Sequence, residues 1–154
     1  MTMPTPTPML ETRWLMTLRG QITAPVVVPP MHVFNVEAAS ITSPRINAKA
    51  VSPSGDWVRI QANGNWKLDV RLMFLTDDGE HIYCHYNGVL RMDPGLGARL
   101  ASGETIPGSD IYFRSAPFFE TASKKYAWLN DILAIGKITR FGGGEVVYEI
   151  FEVL

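Results

Sequence analysis

Short apolar runs bounded by Gly, Pro, Asn or Asp recur from residue 10 to the end of the chain, and helical periodicity is scarce. Runs of that length, broken by turn-forming residues, are the pattern of a mostly antiparallel sheet. Strands are predicted over residues 10–19, 31–38, 45–52, 57–62, 66–75, 81–91, 111–115, 132–138 and 146–154. That is enough to close a barrel. Asn63-Gly64, Asp78-Gly79 and "FGGGE" at 141–145 supply the positive-φ residues that hairpins need. The stretch "MDPGLGARLASGETIPGSD" (92–110) differs, being rich in Gly and Pro with a short helix expected around 96–102. A loop of that length reads as a lid. The expected fold is all-β, a single antiparallel β-barrel over 9–154 behind a flexible arm over 1–8.

Register decides what such a barrel encloses. Two-residue loops at Asn63-Gly64 and Asp78-Gly79 would set Arg71 opposite Asp56 and Tyr86, and Asp69 opposite Val58 and Gly88. All would then share a sheet face with Met73, Leu75, Ile82, Cys84, Val58 and Ile60. Charges among so many apolar neighbours favour the barrel interior. The opposite face carries Trp57, Trp66, Leu68, Val70, Leu72 and Phe74, but also Arg59, Gln61, Tyr83, His85 and Asn87. If that face is the core, Asp56 and Arg71 form a surface pair worth under about 1 kcal/mol.

Composition narrows the function classes. The 154 residues are 46% hydrophobic and 19% charged, which suits one domain with a sizeable core. A formal net charge of -1, with Lys and Arg scattered, leaves no electrostatic footprint for nucleic acid or an anionic membrane. Cys84 is the one cysteine, so no intrachain disulfide forms, and a cytoplasmic setting is expected. The opening "MTMPTPTPML" has no basic region followed by an apolar run, and no stretch has the apolar length of a membrane helix.

Several pieces together form a more specific signal: Gly55-Asp56-Trp57, Leu68-Asp69-Val70-Arg71, Thr76-Asp77-Asp78-Gly79, "YFRSAPFFET" (112–121) and Tyr126-Ala127-Trp128-Leu129-Asn130. In order and spacing, over most of the chain, they resemble the domain-of-unknown-function 3237 family. The resemblance implies a calycin-like barrel with an open, largely apolar cavity. Most members have no assigned activity. Fungal members are similar to cyclases that add a hydroxyl across an alkene to close an oxygen heterocycle, without cofactor. This sequence departs from the common glycine-rich pattern at residues 33–50, "VFNVEAASITSPRINAKA", so side chains stand there and the cavity shape is expected to differ.

Such hydroalkoxylation needs an acid for the π-system and a base for the attacking hydroxyl, and one carboxyl can serve as both. On the interior reading Asp69 is that group, beside apolar Val58 and with room left by Gly88. Arg71 would oppose a raised pKa unless Asp56 pairs with it. Arg114, two residues from Tyr112 and on the same face, offers a planar fork of donors to a developing oxyanion. A salt bridge to Glu120 or Asp110 explains Arg114 equally well. Catalytic candidates are therefore Asp69, Arg71, Asp56 and Arg114. Tyr86, Tyr112, Val58, Trp57, Met73, Phe113 and Trp128 are candidates for the substrate wall, although Trp128 also fits a structural anchor with Tyr126 and Asn130. His81 and His85 lie about 13 Å apart along a strand, too far to share a metal. No cofactor or metal is expected. The partner expected is a hydrophobic aromatic small molecule, prenylated or otherwise alkene-bearing, and a homodimer is plausible. The rival to a cyclase is a carrier barrel without turnover; a structural module would have no cavity.

Overall fold

Burial alternates residue by residue along the strand Trp66–Thr76: Leu68, Val70, Leu72 and Phe74 are buried, whereas Lys67, Arg71 and Leu75 are exposed. That period of two marks a strand with one face on a core and the other in solvent. The computed structural model describes residues 1–4 and 8–154, so the arm expected over 1–8 lies partly outside the described residues.

The elements are β1 (Thr12–Gln21), β2 (Val26–Val28), β3 (Met31–Asn35), β4 (Ala39–Thr42), β5 (Asn47–Ile60), β6 (Trp66–Thr76), β7 (His81–Leu90), α1 (Pro94–Ala101), β8 (Ile106–Pro107), β9 (Phe113–Glu120), β10 (Ala134–Gly142) and β11 (Glu145–Val153). Eight of them close an antiparallel barrel in the order β5, β4, β1, β11, β10, β9, β7, β6 and back to β5. The two halves of β5 have different partners on their outer edge. Lys49 and its neighbours pair with β4, while Gly55–Arg59 pair with β3, which in turn carries β2. The barrel wall therefore splits beside the end of β1, where β3 ends and β4 begins.

Two expected strands, 45–52 and 57–62, are one strand here. Ser52–Ser54 bulge out of the β5–β6 ladder between Val51 and Gly55. Ser54 pins the bulge, its Oγ accepting from the Met73 amide at 3.0 Å and donating to the Val51 carbonyl at 2.8 Å. Conversely, the strand expected over 31–38 ends at Asn35 as β3, and β4 follows at Ala39–Thr42, where no strand was expected.

Both hairpin loops are one residue longer than expected. Gln61 pairs with Asn65 and Thr76 with Glu80, so the loops are Ala62-Asn63-Gly64 and Asp77-Asp78-Gly79. Only the glycines take positive φ, +88° and +87°. A two-residue type I′ turn needs two such residues; one, at the last loop position, fits the three-residue loop. Asn63 Oδ1 and Thr76 Oγ1 each accept a backbone amide across their loop, at 3.0 and 2.8 Å. Each extra residue moves the register by one. Arg71 consequently faces Gly55 and His85, and Asp69 faces Asn87. The interior placement of Asp69 and Arg71 is thereby overturned: Leu68, Val70, Leu72 and Phe74 take the inner face of β6.

Residues 92–110 form α1 and β8. Asp93 caps α1 by accepting the Leu96 amide at 2.7 Å, and Pro94 occupies the first turn, where its missing N–H goes unneeded. Leu96 and Ile106 are buried, and Arg99 bridges Glu104 and Asp110 at 2.8 and 3.1 Å. At the other end, Tyr126 and Leu129 close the core, and Asp78 accepts from Thr76, Tyr126 and Lys125. Asn130 holds Thr121 through two hydrogen bonds, 2.8 and 3.0 Å.

Candidate active site

Within the barrel lies a cavity of about 140 Å³, lined at the split by Gln21–Thr23 and Phe34–Val36. Its wall is apolar for the most part, built from Leu18, Val58, Trp66, Leu68, Val70, Leu72, Phe113, Phe141 and Val146. The departing stretch 33–50 contributes Phe34, Asn35, Val36 and Ala39. Among the described residues, three titratable side chains line this space: Asp56, Tyr86 and Tyr148. Among the described residues, no Lys, Arg or His lines it. No described residue of 92–110 lines it either, so the segment expected as a lid covers core next to the cavity rather than the cavity itself.

Asp56 enters on β5 immediately after the bulge. It shares an inward row with Val70 on β6 and Tyr86 on β7. Before it, Gly55 leaves room for Trp57, whose ring folds outside the barrel over the backbone; a Cβ at Gly55 would stand 3.0 Å from that ring. Asp56 Oδ1 is buried without a hydrogen-bond partner among the described residues. Burial pushes the carboxyl up to about 7; the Asp69 backbone amide works against this rise, and the Asp69 charge adds to it. The cause is chiefly desolvation, so the neutral acid survives to physiological pH.

Tyr148 comes from β11, and its hydroxyl is likewise buried and has no partner among the described residues. Its ring meets Phe113 at 5.3 Å and Tyr86 at 5.9 Å, both edge-to-face, a favourable aromatic geometry. Gly136 on β10 makes space for it, since a side chain there would meet Ser115 Oγ and Tyr148 Cδ1. Burial holds both tyrosines well above the ordinary phenol range; Asp56 and Cys84 add to this at Tyr86, and Tyr86 and Asp56 at Tyr148. Each is a neutral hydroxyl donor at pH 7.

Four of the residues singled out from sequence thus meet at the cavity: Asp56, Val58, Tyr86 and Phe113. The others stand elsewhere. Asp69 and Arg71 lie on the outer face, their side chains 31% and 58% exposed, where Asp69 Oδ1 meets His85 Nε2 at 3.2 Å and Arg71 Nε at 3.9 Å. Asp56 and Arg71 therefore point to opposite sides of the wall and cannot pair. Gly88 opens no space beside Asp69, because it is inward, opposite Leu68, with a Cβ position 3.0 Å from the Arg114 carbonyl. Arg114 is also external. It and Arg91 both lie against the Tyr112 ring, at 4.7 and 3.9 Å from its centroid, and the Asp110 proposed as its salt-bridge partner binds Arg99 instead. Trp57 and Tyr112 are exposed and Met73 belongs to the outer face of β6. Trp128 stacks under Arg45 at 3.5 Å, away from the cavity lining. Tyr148 was not foreseen; its signal was a lone polar aromatic in step with Val146 and Ile150 on a strand expected at 146–154.

The family model described as "Protein of unknown function (DUF3237)" matches residues 10–153. The chain belongs to that family. An UPF0311 protein of Rhodopseudomonas palustris is 28% identical over 153 residues, covering 96% of this chain and 99% of that one. The crystal structure of a conserved protein of unknown function from the same species has 26% identity and a TM-score of 0.88, over 96% of this chain and 100% of its own. A more distant neighbour is an enzyme from Penicillium herquei, 17% identical with a TM-score of 0.66 over 99% and 98% of the two chains. At that identity the likeness concerns the DUF3237 barrel and not its chemistry. Among the described residues, no helix is long and apolar enough to cross a membrane.

Proposed function

We propose that this DUF3237 barrel is a cofactor-independent acid/base enzyme of secondary metabolism, acting inside the cavity with Asp56 as its proton-transferring group. The supporting observation is a buried carboxyl with an unpartnered oxygen, pushed up to about 7 in an apolar chamber. A group with that pKa serves as acid and base near neutrality. The reaction proposed is intramolecular hydroalkoxylation of a prenylated aromatic polyketide-type substrate. Asp56 in its acid form gives its proton to the alkene, or to the enone tautomer of a phenol. The substrate hydroxyl oxygen then forms the new C–O bond, and the carboxylate takes up the hydroxyl proton. No group leaves, so the product is an isomer of the substrate. The aromatic wall around Phe113, Phe141 and Trp66 would fold the alkene chain over the hydroxyl and present one prochiral face.

The test is chiral chromatography of products from ortho-prenylated phenols and phenalenones, comparing wild type, Asp56→Asn and Asp69→Asn. The expected result is an enantiomerically enriched cyclic ether from wild type and Asp69→Asn, with Asp56→Asn slower by about a hundredfold or more. The wild-type rate should fall as pH rises through about 7, where the acid form is lost. Full activity in Asp56→Asn would remove Asp56 from the mechanism, and tight binding without conversion by wild type would favour a carrier barrel.

A further inference from the structure

Tyr148 is 1% exposed and its hydroxyl is one of three buried side-chain polar atoms without a partner among the described residues. Two of the three, Tyr148 Oη and Asp56 Oδ1, belong to residues lining the same cavity. Native interiors leave few such atoms unmet, and those that stay unmet are commonly where a ligand or water belongs. The Tyr148 ring cannot swing away to find a partner, because Phe113 and Tyr86 hold it edge-on from two sides. The wall around these two atoms has no cation among the described residues, and apart from them it is mainly hydrocarbon. An anion placed there would exchange its hydration for a few neutral donors and no countercharge. An ammonium would find a countercharge only where the Asp56 carboxyl has ionised, and burial pushes that carboxyl up to about 7.

We propose that Tyr148 docks the substrate by donating its hydroxyl hydrogen to an uncharged carbonyl oxygen on an apolar ring system, so that the cavity selects neutral ketones over carboxylates, ammonium ions and bare hydrocarbons. This rests on the reading of the cavity as a substrate site, but not on Asp56 being the acid. A ketone oxygen accepts from Tyr148 while the rest of the molecule covers the apolar wall. Asp56 then faces the same bound molecule, and the docking bond fixes which carbon it meets.

The experiment uses one bicyclic skeleton in four forms: 1-tetralone, tetralin, 1-aminotetralin and tetralin-1-carboxylate. Binding of each to wild type, Tyr148→Phe and Asp56→Asn is measured by calorimetry at about pH 5.5, where the Asp56 carboxyl is in its acid form. The infrared carbonyl stretch of bound tetralone is recorded alongside. Wild type should bind tetralone about tenfold more tightly than tetralin, the scale of one buried hydrogen bond, and both charged forms more weakly than the ketone. Tyr148→Phe should bring tetralone and tetralin to within about twofold, and the downshift of the bound carbonyl stretch should disappear. Asp56→Asn should keep the preference for the ketone. Equal affinity of wild type for tetralone and tetralin would overturn the proposal, as would tightest binding by the amine or the carboxylate, or a preference that survives in Tyr148→Phe. Absence of binding by all four at millimolar concentration would overturn it together with the substrate-site reading. If Tyr148→Phe does not fold, a bound carbonyl stretch in wild type no lower than that of tetralone in cyclohexane is sufficient to refute it. Loss of turnover in Asp56→Asn bears on the acid alone, so the two readings fail separately.

Discussion

Asp56 and Asp69 stand on neighbouring strands of the barrel wall, yet one is inside and the other outside. Asp69 meets His85 and Arg71 at 3.2 and 3.9 Å on a face where its side chain is 31% exposed. Asp56 has an oxygen without a partner among the described residues and is pushed up to about 7 by burial. The residue type is the same, and the surroundings decide between a surface ion pair and a proton reservoir. Inside the barrel a carboxyl without a cation gives up stability at neutral pH in exchange for a proton that can be moved there.

The largest effect expected from the two faces is on packing, at adjacent residues of β6. Phe74 is fully buried, whereas Met73 belongs to the outer face and is only half-buried. Phe74→Ala should cost about 3–5 kcal/mol in urea denaturation and Met73→Ala under about 1 kcal/mol. Comparable losses from both would mean that β6 is not inserted as described.

Next comes the pH dependence of stability set by Asp56. Its folded pKa, about 7, lies above the ordinary 3.8, so below about pH 3.8 the carboxyl is protonated folded or unfolded and has no effect. Between the two values the unfolded chain ionises first. Stability is therefore lost as pH rises and the loss is complete above about 7. At about 1.4 kcal/mol per unit the total is at most about 4.5 kcal/mol, and smaller where water in the cavity reaches the carboxyl. Subtracting the urea stability of wild type from that of Asp56→Asn cancels the other titrating groups. The difference should grow from pH 4 to pH 7 and then level off; parallel curves would mean that Asp56 ionises freely in the folded protein.

Much of this arrangement was legible in the sequence. The strands, the single barrel and the inward placement of Asp56, Val58, Tyr86 and Cys84 follow from alternation and from turn positions. The register of β6 did not follow, because Asn-Gly and Asp-Gly mark a turn without fixing whether its loop has two residues or three. Both loops took the third residue, and the two slips compensated across β5 and β7 while inverting the strand between them. The plainer pattern within β6, apolar at 68, 70, 72 and 74 and charged at 67, 69 and 71, pointed outward for Asp69 all along. The continuity of β5 was hidden by Pro53 and Gly55, which read as a break until Ser54 is seen to satisfy the backbone there. Tyr148 was hidden for a different reason: a tyrosine within an apolar strand looks like core, and only the absence of a partner for its hydroxyl distinguishes it.

The smallest effect belongs to the outer aspartate. Asp69→Asn removes one charge from a pair whose members, Asp69 and His85, have side chains 31% and 35% exposed. Water already solvates both, and exposed pairs of this kind contribute about 0–1 kcal/mol. In a domain of this size that corresponds to a shift of about 3 °C or less in Tm. Thermal denaturation at pH 7 in low and in high salt would resolve it, because screening should shrink the already small difference further. The neutral amide keeps an oxygen to accept from His85, so the hydrogen bond need not be lost with the charge. A shift of 10 °C, or one insensitive to salt, would place Asp69 in a buried network, and the contrast between the inner and the outer carboxyl would then collapse.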